Sequence, residues 1–473
     1  MSQLRLGPPG YSGAVRITDS ERGAAPPLGI RLWSRRGSCG HALLSLIGSL
    51  LVSGCVGVTA VGPEEEDLFG FAGVVWPPGV TSVFVAEAGD DGASGTAADP
   101  FRTIARGLLE TRASDARGLV IGPGVYEGSF ALTEDPAVSE DSGLRVVGAG
   151  ADASSGTVIL GDASSPVFDV YGASASDIEI SELRIEGGWR PLIIRGGAGS
   201  DVPISFEDIV LAEPLRLGVM VAGASTVAHL TRVDVESPLP DGGAYGWGIS
   251  VQSQAALGDE AVAPTVLDTC SVTGATEIGV IADGAWLDVS DLFVDDTSSR
   301  DGVLGRGVQL QNSTFGLLSD LTVNASADAG VFIDAPGRLG QNPNLGCPQV
   351  NGASLCSVSL QTASISGAIG AAVPGTLETS GDALVVARQP SATGAAQFYR
   401  VEVEGVQVSG PARSRGVVDG VTLVATGNGI FGDGTLYLQS GAVLEGSALQ
   451  DSTVPAVPLG LNLNQVGLDV PPQ

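Results

Sequence analysis

Asp283 and Asp334 are the side chains best spaced for acid–base chemistry. They fall at one position of a repeat, two repeats apart, and Arg195 takes that position in an earlier repeat. If each repeat advances by one strand spacing, the two carboxyls stand about 9–10 Å apart. That is near the upper limit for a pair that splits a glycosidic bond with inversion. Arg195 is the one base in the same row that could take a proton. Gln252, Gln309 and Gln311 could bond sugar hydroxyls there, and Phe332 and Trp247 could stack on a sugar ring. Asp291 and Asp320 form a second pair, at a turn position of neighbouring repeats. Like charges one strand spacing apart repel, and Ca2+ would relieve them. In a chain with 53 acidic residues, such pairs also arise by chance.

The inventory excludes more than it offers. The chain has 473 residues and a net charge of −30, and all 23 of its basic residues are Arg. Catalysis by Lys is therefore excluded. With only 2 His in the chain, His-based triads and His-rich metal sites have almost no material. His229 lies on the outer side of a strand pattern, where surface side chains are common. Phosphate binding needs clustered basic groups, so nucleic acid is excluded as a partner. At 43% hydrophobic and 16% charged residues, the chain is not of disordered composition. Its 69 Gly favour many short strands joined by tight turns.

Arg31, Arg35 and Arg36 precede an apolar run from Ala42 to Val52, too short to span a bilayer. The run ends in Val52-Ser53-Gly54-Cys55, which resembles a bacterial lipobox. The resemblance implies cleavage after residue 54 and a lipid on Cys55. Residues 1–30 have no place in such a signal and read as a start assigned too early. The mature chain then carries 17 Arg against 51 acids, a net −34. Val56 follows the lipid-bearing Cys, where Asp would imply retention at the inner membrane, so the expected address is the outer membrane or cell surface. Residues 55–79, with Pro63 to Asp67 at their centre, read as an acidic tether. Cys39 leaves with the signal. Cys347 and Cys356 enclose a short loop and are expected to form a disulfide in an oxidising compartment. Cys270 reads as a small buried hydrophobe.

After the tether come a strand at Val83–Val85, then Gly89-Asp90-Asp91-Gly92, then Asp99-Pro100-Phe101-Arg102-Thr103-Ile104. Asp99 reads as an N-cap and Pro100 as the first residue of an amphipathic helix over 100–112. Its apolar face is Phe101, Ile104, Ala105, Leu108 and Leu109. Pro123-Gly124-Val125-Tyr126-Glu127 and Val147-Gly148 follow. This stretch resembles the entry into right-handed parallel β-helix proteins of the pectin-lyase-like superfamily. The resemblance implies a capping helix followed by stacked coils. It also implies an active groove on the outer face of one sheet and, often, an asparagine ladder in a turn.

Periodicity supports the same architecture. Apolar-x-apolar, two turn residues, apolar-x-apolar recurs at Ile178–Ile185, Ile204–Leu211, Ala228–Val235, Thr265–Val272, Leu287–Val294, Gly316–Val323, Val358–Ile365 and Val401–Val408. Between these lie strands led by glycine at Gly218, Gly248, Gly279, Gly307 and Gly330. A fixed order of two templates fits one three-stranded coil per repeat and fits neither a propeller nor a sandwich. The second turn position reads Glu182, Asp208, Arg232, Thr269, Asp291, Asp320, Thr362, Gly405. Side chains there satisfy local N–H groups in the simplest reading. Three insertions, 237–264, 335–357 and 366–397, are long enough to wall a cleft. Residues 453–473 are expected to cover the open end.

The expected fold is all-β: a single right-handed three-stranded parallel β-helix over 80–460, with 9–11 coils, an N-terminal capping helix and a tail at 461–473. The expected function is that of an exported, lipid-anchored, non-catalytic module that binds a glycan or another envelope component. Partners would be a polysaccharide or an envelope protein, the membrane is met through the lipid alone, and the chain is a monomer. No cofactor is required, with Ca2+ the one ion its turns would take. The alternatives are a polysaccharide lyase or glycoside hydrolase, and a structural or adhesive stalk. A lyase or hydrolase of the superfamily would need clustered acids with Arg, Lys or His, and this row supplies few.

Overall fold

A computed structural model describes residues 68–74, most of 79–334 and, beyond these, strand segments between 349 and 455. The chain divides into Met1–Glu64 and Glu65–Gln473, and every described residue belongs to the second unit. Cys55, Cys347, Cys356, most of the tether and the 461–473 tail lie outside the described residues.

Among the described residues the strands form two large sheets of 17 and 12 strands. Every pairing between named strands within them is parallel; the antiparallel pair Gln349–Val350 with Ala353–Ser354 stands apart from both. The larger sheet holds the doublet template. Each central doublet is a single bent strand: Glu179–Gly187, Ile204–Ala212, Ala228–Glu236, Thr265–Thr273, Trp286–Asp295 and Phe315–Asn324. The smaller sheet holds the glycine-led strands, Leu217–Ala222, Trp247–Gln252, Ile278–Asp283, Arg306–Gln311 and Ala329–Asp334 among them. Consecutive coils stack in register, so that Val219, Ile249, Val280, Val308 and Val331 form one column. All five are fully buried. The chain is thus a parallel β-helix solenoid, with one α-helix among the described residues.

The bend in each doublet has a simple cause. In Thr265–Thr273 the buried side chains are Thr265, Leu267, Cys270 and Val272, two apart in each arm and three apart across the middle. A flat strand would send the second arm's apolar set outward. One residue in the left-handed region turns the chain so that both arms face the core. That residue is Glu182, Asp208, Arg232, Thr269, Asp291, Asp320, Thr362 or Gly405, with φ between 52° and 62° at each of these eight coils. Asp and Gly tolerate this region, whereas a β-branched residue is strained there. Thr269→Asn, at φ 54°, is therefore expected to raise stability by about 1 kcal/mol, seen as a higher thermal midpoint.

Three expectations change. The helix spans Ile104–Ala113 and begins four residues later than the spacing predicts. Its cap is Thr103, whose hydroxyl accepts from the Arg106 amide at 3.2 Å. Asp91 captures the amides of Arg102 and Thr103 at 3.0 and 2.9 Å, which holds that segment outside the helix. Phe101 pairs with Val85, and Leu109 is 59% exposed, so the buried face is Ile104, Gly107, Leu108 and Thr111. The 366–397 insertion contains a further rung of the smaller sheet, Asp382–Ala387, in register with Ala329–Asp334. Thr453–Pro455, expected to cover the end, instead pairs with Thr435–Gln439.

Candidate functional site

The row that carries the candidate chemistry lies on the outer face of the glycine-led strands. Alternation from the buried valine column sends Ser250, Ile281, Gln309 and Phe332 to that face, followed two residues on by Gln252, Asp283, Gln311 and Asp334. The registers place Asp283 beside Gln311 and Gln311 beside Asp334, so the two acids stand two rungs apart with a glutamine between them. This is the spacing read from the repeats.

The face is not open. Asp283 is 5% exposed, Asp334 3%, and Gln309 and Gln311 at most 1%. Gln309, Gln311 and Asp283 bond one another in a chain that begins at Arg306. Arg306 Nε donates to Asp328 Oδ2 at 3.1 Å and its Nη1 to Gln309 Oε1 at 2.9 Å. Gln309 Nε2 donates to Gln311 Oε1 at 2.5 Å, and Gln311 Nε2 to Asp283 Oδ2 at 2.6 Å. Gln252 donates to Ser250 Oγ at 2.6 Å. The Arg306 guanidinium also lies 3.7 Å from the centre of the Phe332 ring. Burial pushes its pKa down, against the pull of Asp328 and Asp334. A buried ion pair tied into such a chain of bonds holds a surface closed rather than presenting an acid or a base to substrate.

Neither aromatic candidate offers a free ring. Phe332 is 3% exposed beneath Arg306, and Trp247 is 1% exposed within a cluster of Leu217, Met220, Ile278, Ile281 and Leu304. The Trp247 indole N–H donates to Glu277 Oε2 at 3.0 Å. Glu277 also receives the Tyr245 amide and faces Arg300 at 2.9 Å. Burial raises the Glu277 pKa, and Trp247, Arg300 and the Tyr245 amide oppose that. Arg195 stands three rungs from Asp283 and is held by both oxygens of Asp169. It is therefore not placed to take a proton between the two acids.

The turn ladder is more open. Asp291 and Asp320 are exposed neighbours on consecutive rungs, at φ 57° and 53°. Water and salt weaken repulsion between exposed charges, and the left-handed backbone accounts for Asp at both positions. Among the described residues no group of three or more His, Cys, Asp or Glu is placed to hold a metal ion. Elsewhere in the ladder Arg232 bonds Asp208 at 2.6 and 2.7 Å and reaches Glu207. Burial raises the Glu182 pKa, Asp208 adds to the rise, and Arg232 reduces it.

His229 is half-buried, and burial lowers its pKa. Cys270 is buried beside the Leu230 carbonyl, and burial pushes its thiol up to about 12. It is expected to resist a thiol-specific reagent in the native protein at pH 8 and to react within minutes once denatured; equal rates would overturn the buried assignment.

The residues missed by spacing alone are Arg306, Asp328 and Glu277. Arg306 directly precedes a template glycine, at the position that Trp247 and Ile278 fill in earlier rungs.

No protein-family model and no curated protein matches the chain. Two solved structures are similar over most of it. One is the catalytic domain of a GH87 alpha-1,3-glucanase variant in complex with tetrasaccharides, at 11% identity and TM-score 0.41, covering 80% of this chain and 68% of that one. The other is a rhamnogalacturonan lyase, at 10% identity and TM-score 0.35, covering 79% of this chain and 86% of that one. At this distance neither transfers a substrate or an activity.

Proposed function

We propose that the protein is an exported, lipid-anchored right-handed β-helix that serves as a non-catalytic surface module, binding a glycan or another envelope component. One observation carries the reading. The row spaced for acid–base work is buried, and Asp283 is hydrogen-bonded to its glutamine neighbour. An enzyme acting along this face needs an accessible acid and base within reach of one bond, and the row presents neither. Cys55, as the lipid-bearing residue, supplies the anchor, and the mature chain's net charge of −34 keeps the solenoid off an anionic lipid surface.

The full chain, solubilised in detergent, would be mixed with acidic and neutral polysaccharides, with and without Ca2+, and followed by size-exclusion chromatography with light scattering. Intact polysaccharide that co-elutes with the protein is expected. Shortened polysaccharide would overturn the non-catalytic reading. Cys55→Ser is expected to move the protein from the membrane to the soluble fraction, and an unchanged partition would overturn the anchor.

A further inference from the structure

A strand at the end of a sheet offers unpaired N–H and C=O groups to any extended chain. In the smaller sheet that strand is Phe130–Thr133, the last of the row, which pairs among the described residues only with Phe168–Gly172. The Phe130 amide donates to the Val167 carbonyl at 2.7 Å, on the paired side. Backbone groups of alternate residues face opposite edges of a strand, so those of Ala131 and Thr133 face the free edge. The Arg112–Asp141 ion pair fills that edge. Arg112 Nη2 donates to the Ala131 carbonyl at 2.7 Å, Asp141 Oδ2 accepts from the Thr133 amide at 2.8 Å, and the Asp141 amide donates to the Thr133 carbonyl at 3.3 Å. Donor, acceptor and donor follow one another as they would along a neighbouring strand. Two further bonds lock the pair, Arg112 Nε to Asp141 Oδ1 at 2.9 Å and Nη2 to Oδ2 at 2.8 Å. Arg112 stands in the last turn of the α-helix, and Asp141 is 3% exposed. The larger sheet has an end strand of its own, Gly124–Glu127, whose one partner among the described residues is Thr157–Gly161. On its free edge the Val125 amide donates to Glu87 Oε2 at 3.3 Å. Val125 is 50% exposed, so that edge also carries an apolar side chain. Ser82–Val85 is covered by main chain instead: Phe84 bonds Gly95 and Phe101, each at 2.9 Å.

We infer that Arg112, Asp141 and Glu87 are edge guards: they occupy the hydrogen-bonding positions of two end strands and so keep this end of the solenoid from pairing with a second copy of the chain. A second copy is the partner to exclude, because it brings the same end strands at the same spacing. Phe130–Thr133 set against its own copy about a two-fold axis makes an antiparallel pair, and such an arrangement closes at a dimer. An ion pair kept for its own attraction needs no edge strand as partner, whereas this one takes three successive groups of that edge. Carrying Asp141 almost out of water is costly, and an apolar pair of similar volume would avoid that cost. An apolar pair would also leave the groups of Ala131 and Thr133 to the next strand that arrived. The inference is independent of what the module binds.

Sedimentation of the full protein in detergent tests this, over a wide range of concentration and in salt high enough to screen its net negative charge. The wild-type protein is expected to stay monomeric throughout. Arg112→Ala/Asp141→Ala is expected to form a dimer of about twice the monomer mass as concentration rises, and adding Glu87→Ala to bring the dimer in at lower concentration. Circular dichroism shows whether each variant is folded. Arg112→Lys keeps a donor for the Ala131 carbonyl and a charge for Asp141, and is expected to stay monomeric. Ala131→Pro, placed in the double variant, removes an amide from the free edge and spares the bonds to Phe168–Gly172. It is expected to restore the monomer without restoring the thermal midpoint, which separates guarding from stability. A folded double variant that stays monomeric at every concentration would overturn the guards. So would a wild type that dimerises as readily, or a dimer that persists with Ala131→Pro, since its contact would lie elsewhere. If the double variant does not fold, Glu87→Ala alone decides, because Glu87 is exposed and its loss removes only the 3.3 Å bond to Val125. A dimer there would support the inference, and a monomer would overturn it.

Discussion

Asp328→Ala is expected to destabilise the solenoid by about 3–5 kcal/mol, because it leaves a charge buried without its partner. Arg306 is fully buried and Asp328 is 3% exposed, with 3.1 Å between Nε and Oδ2. Burial already lowers the Arg306 pKa, and Asp328 is the chief charge opposing that. Without Asp328, the guanidinium keeps Asp334, Gln309 Oε1 and the Phe332 ring, yet loses its nearest countercharge. The change should also loosen the chain of bonds through Gln309 and Gln311 to Asp283. Asp328→Asn, which keeps an acceptor, should cost less. Replacing Asp328, Arg306 and Gln309 together with Leu should recover most of the loss, since a well-packed apolar patch is often as stable as a buried ion pair. Urea midpoints read by circular dichroism measure all three. A loss below about 1 kcal/mol for Asp328→Ala would show that water reaches Arg306 and that the outer row is open after all.

How much was legible follows from what periodicity encodes. The doublet and the glycine-led templates give strand order and register, and both appear in the pairing, down to the column of left-handed residues from Glu182 to Gly405. Alternation also separates Gln309 and Asp283 on the outer face from Val308 and Ala282 on the inner one. It does not say whether the outer face meets water. A row of Ser, Gln and Asp reads as solvated, and here it is buried, with Gln309, Gln311 and Asp283 bonding one another and Arg306. Arg306 and Asp328 lie just outside the templates, so no repeat count draws attention to them. The helix start moved for a similar reason. Asp99 and Pro100 form a local cap signal, but Asp91, well upstream, takes the amides on which a helix start at 100 would draw. Contacts between side chains far apart in sequence decide such cases, and local spacing does not carry them. The contact between Trp189 and Asp241 is another: the two are 52 residues apart and meet through an indole bond.

Gly279→Val is expected to cost more than the roughly 1–3 kcal/mol usual for overpacking a core position, and to leave little folded protein at 37 °C. Gly218, Gly248, Gly279, Gly307 and Gly330 lead five consecutive rungs of the smaller sheet, and at each a Cβ would strike the next rung. At Gly279 an added Cβ would lie 2.5 Å from Val294 Cγ1 and 2.6 Å from the Gly307 carbonyl oxygen. The valine can turn away; the carbonyl belongs to the next coil's backbone and can move only with that coil. Alanine at 279 already meets both contacts, so it should fall within the overpacking range, and the two γ-carbons of valine should add to it. Gly92→Ala is the control: it lies in an exposed turn, where the nearest atom to an added Cβ is an Asp90 side-chain oxygen at 3.5 Å. Its expected effect is within about 0.5 kcal/mol. Thermal and urea unfolding of the three variants decide the matter, and Gly279→Val with a midpoint equal to that of Gly92→Ala would contradict the stacking register itself. The same close approach explains why the second residue of each of these strands is glycine. A bulky residue at that position would pry adjacent coils apart where the chain turns from its corner into the sheet, and the register that buries Val280 over Ile249 would be lost with it.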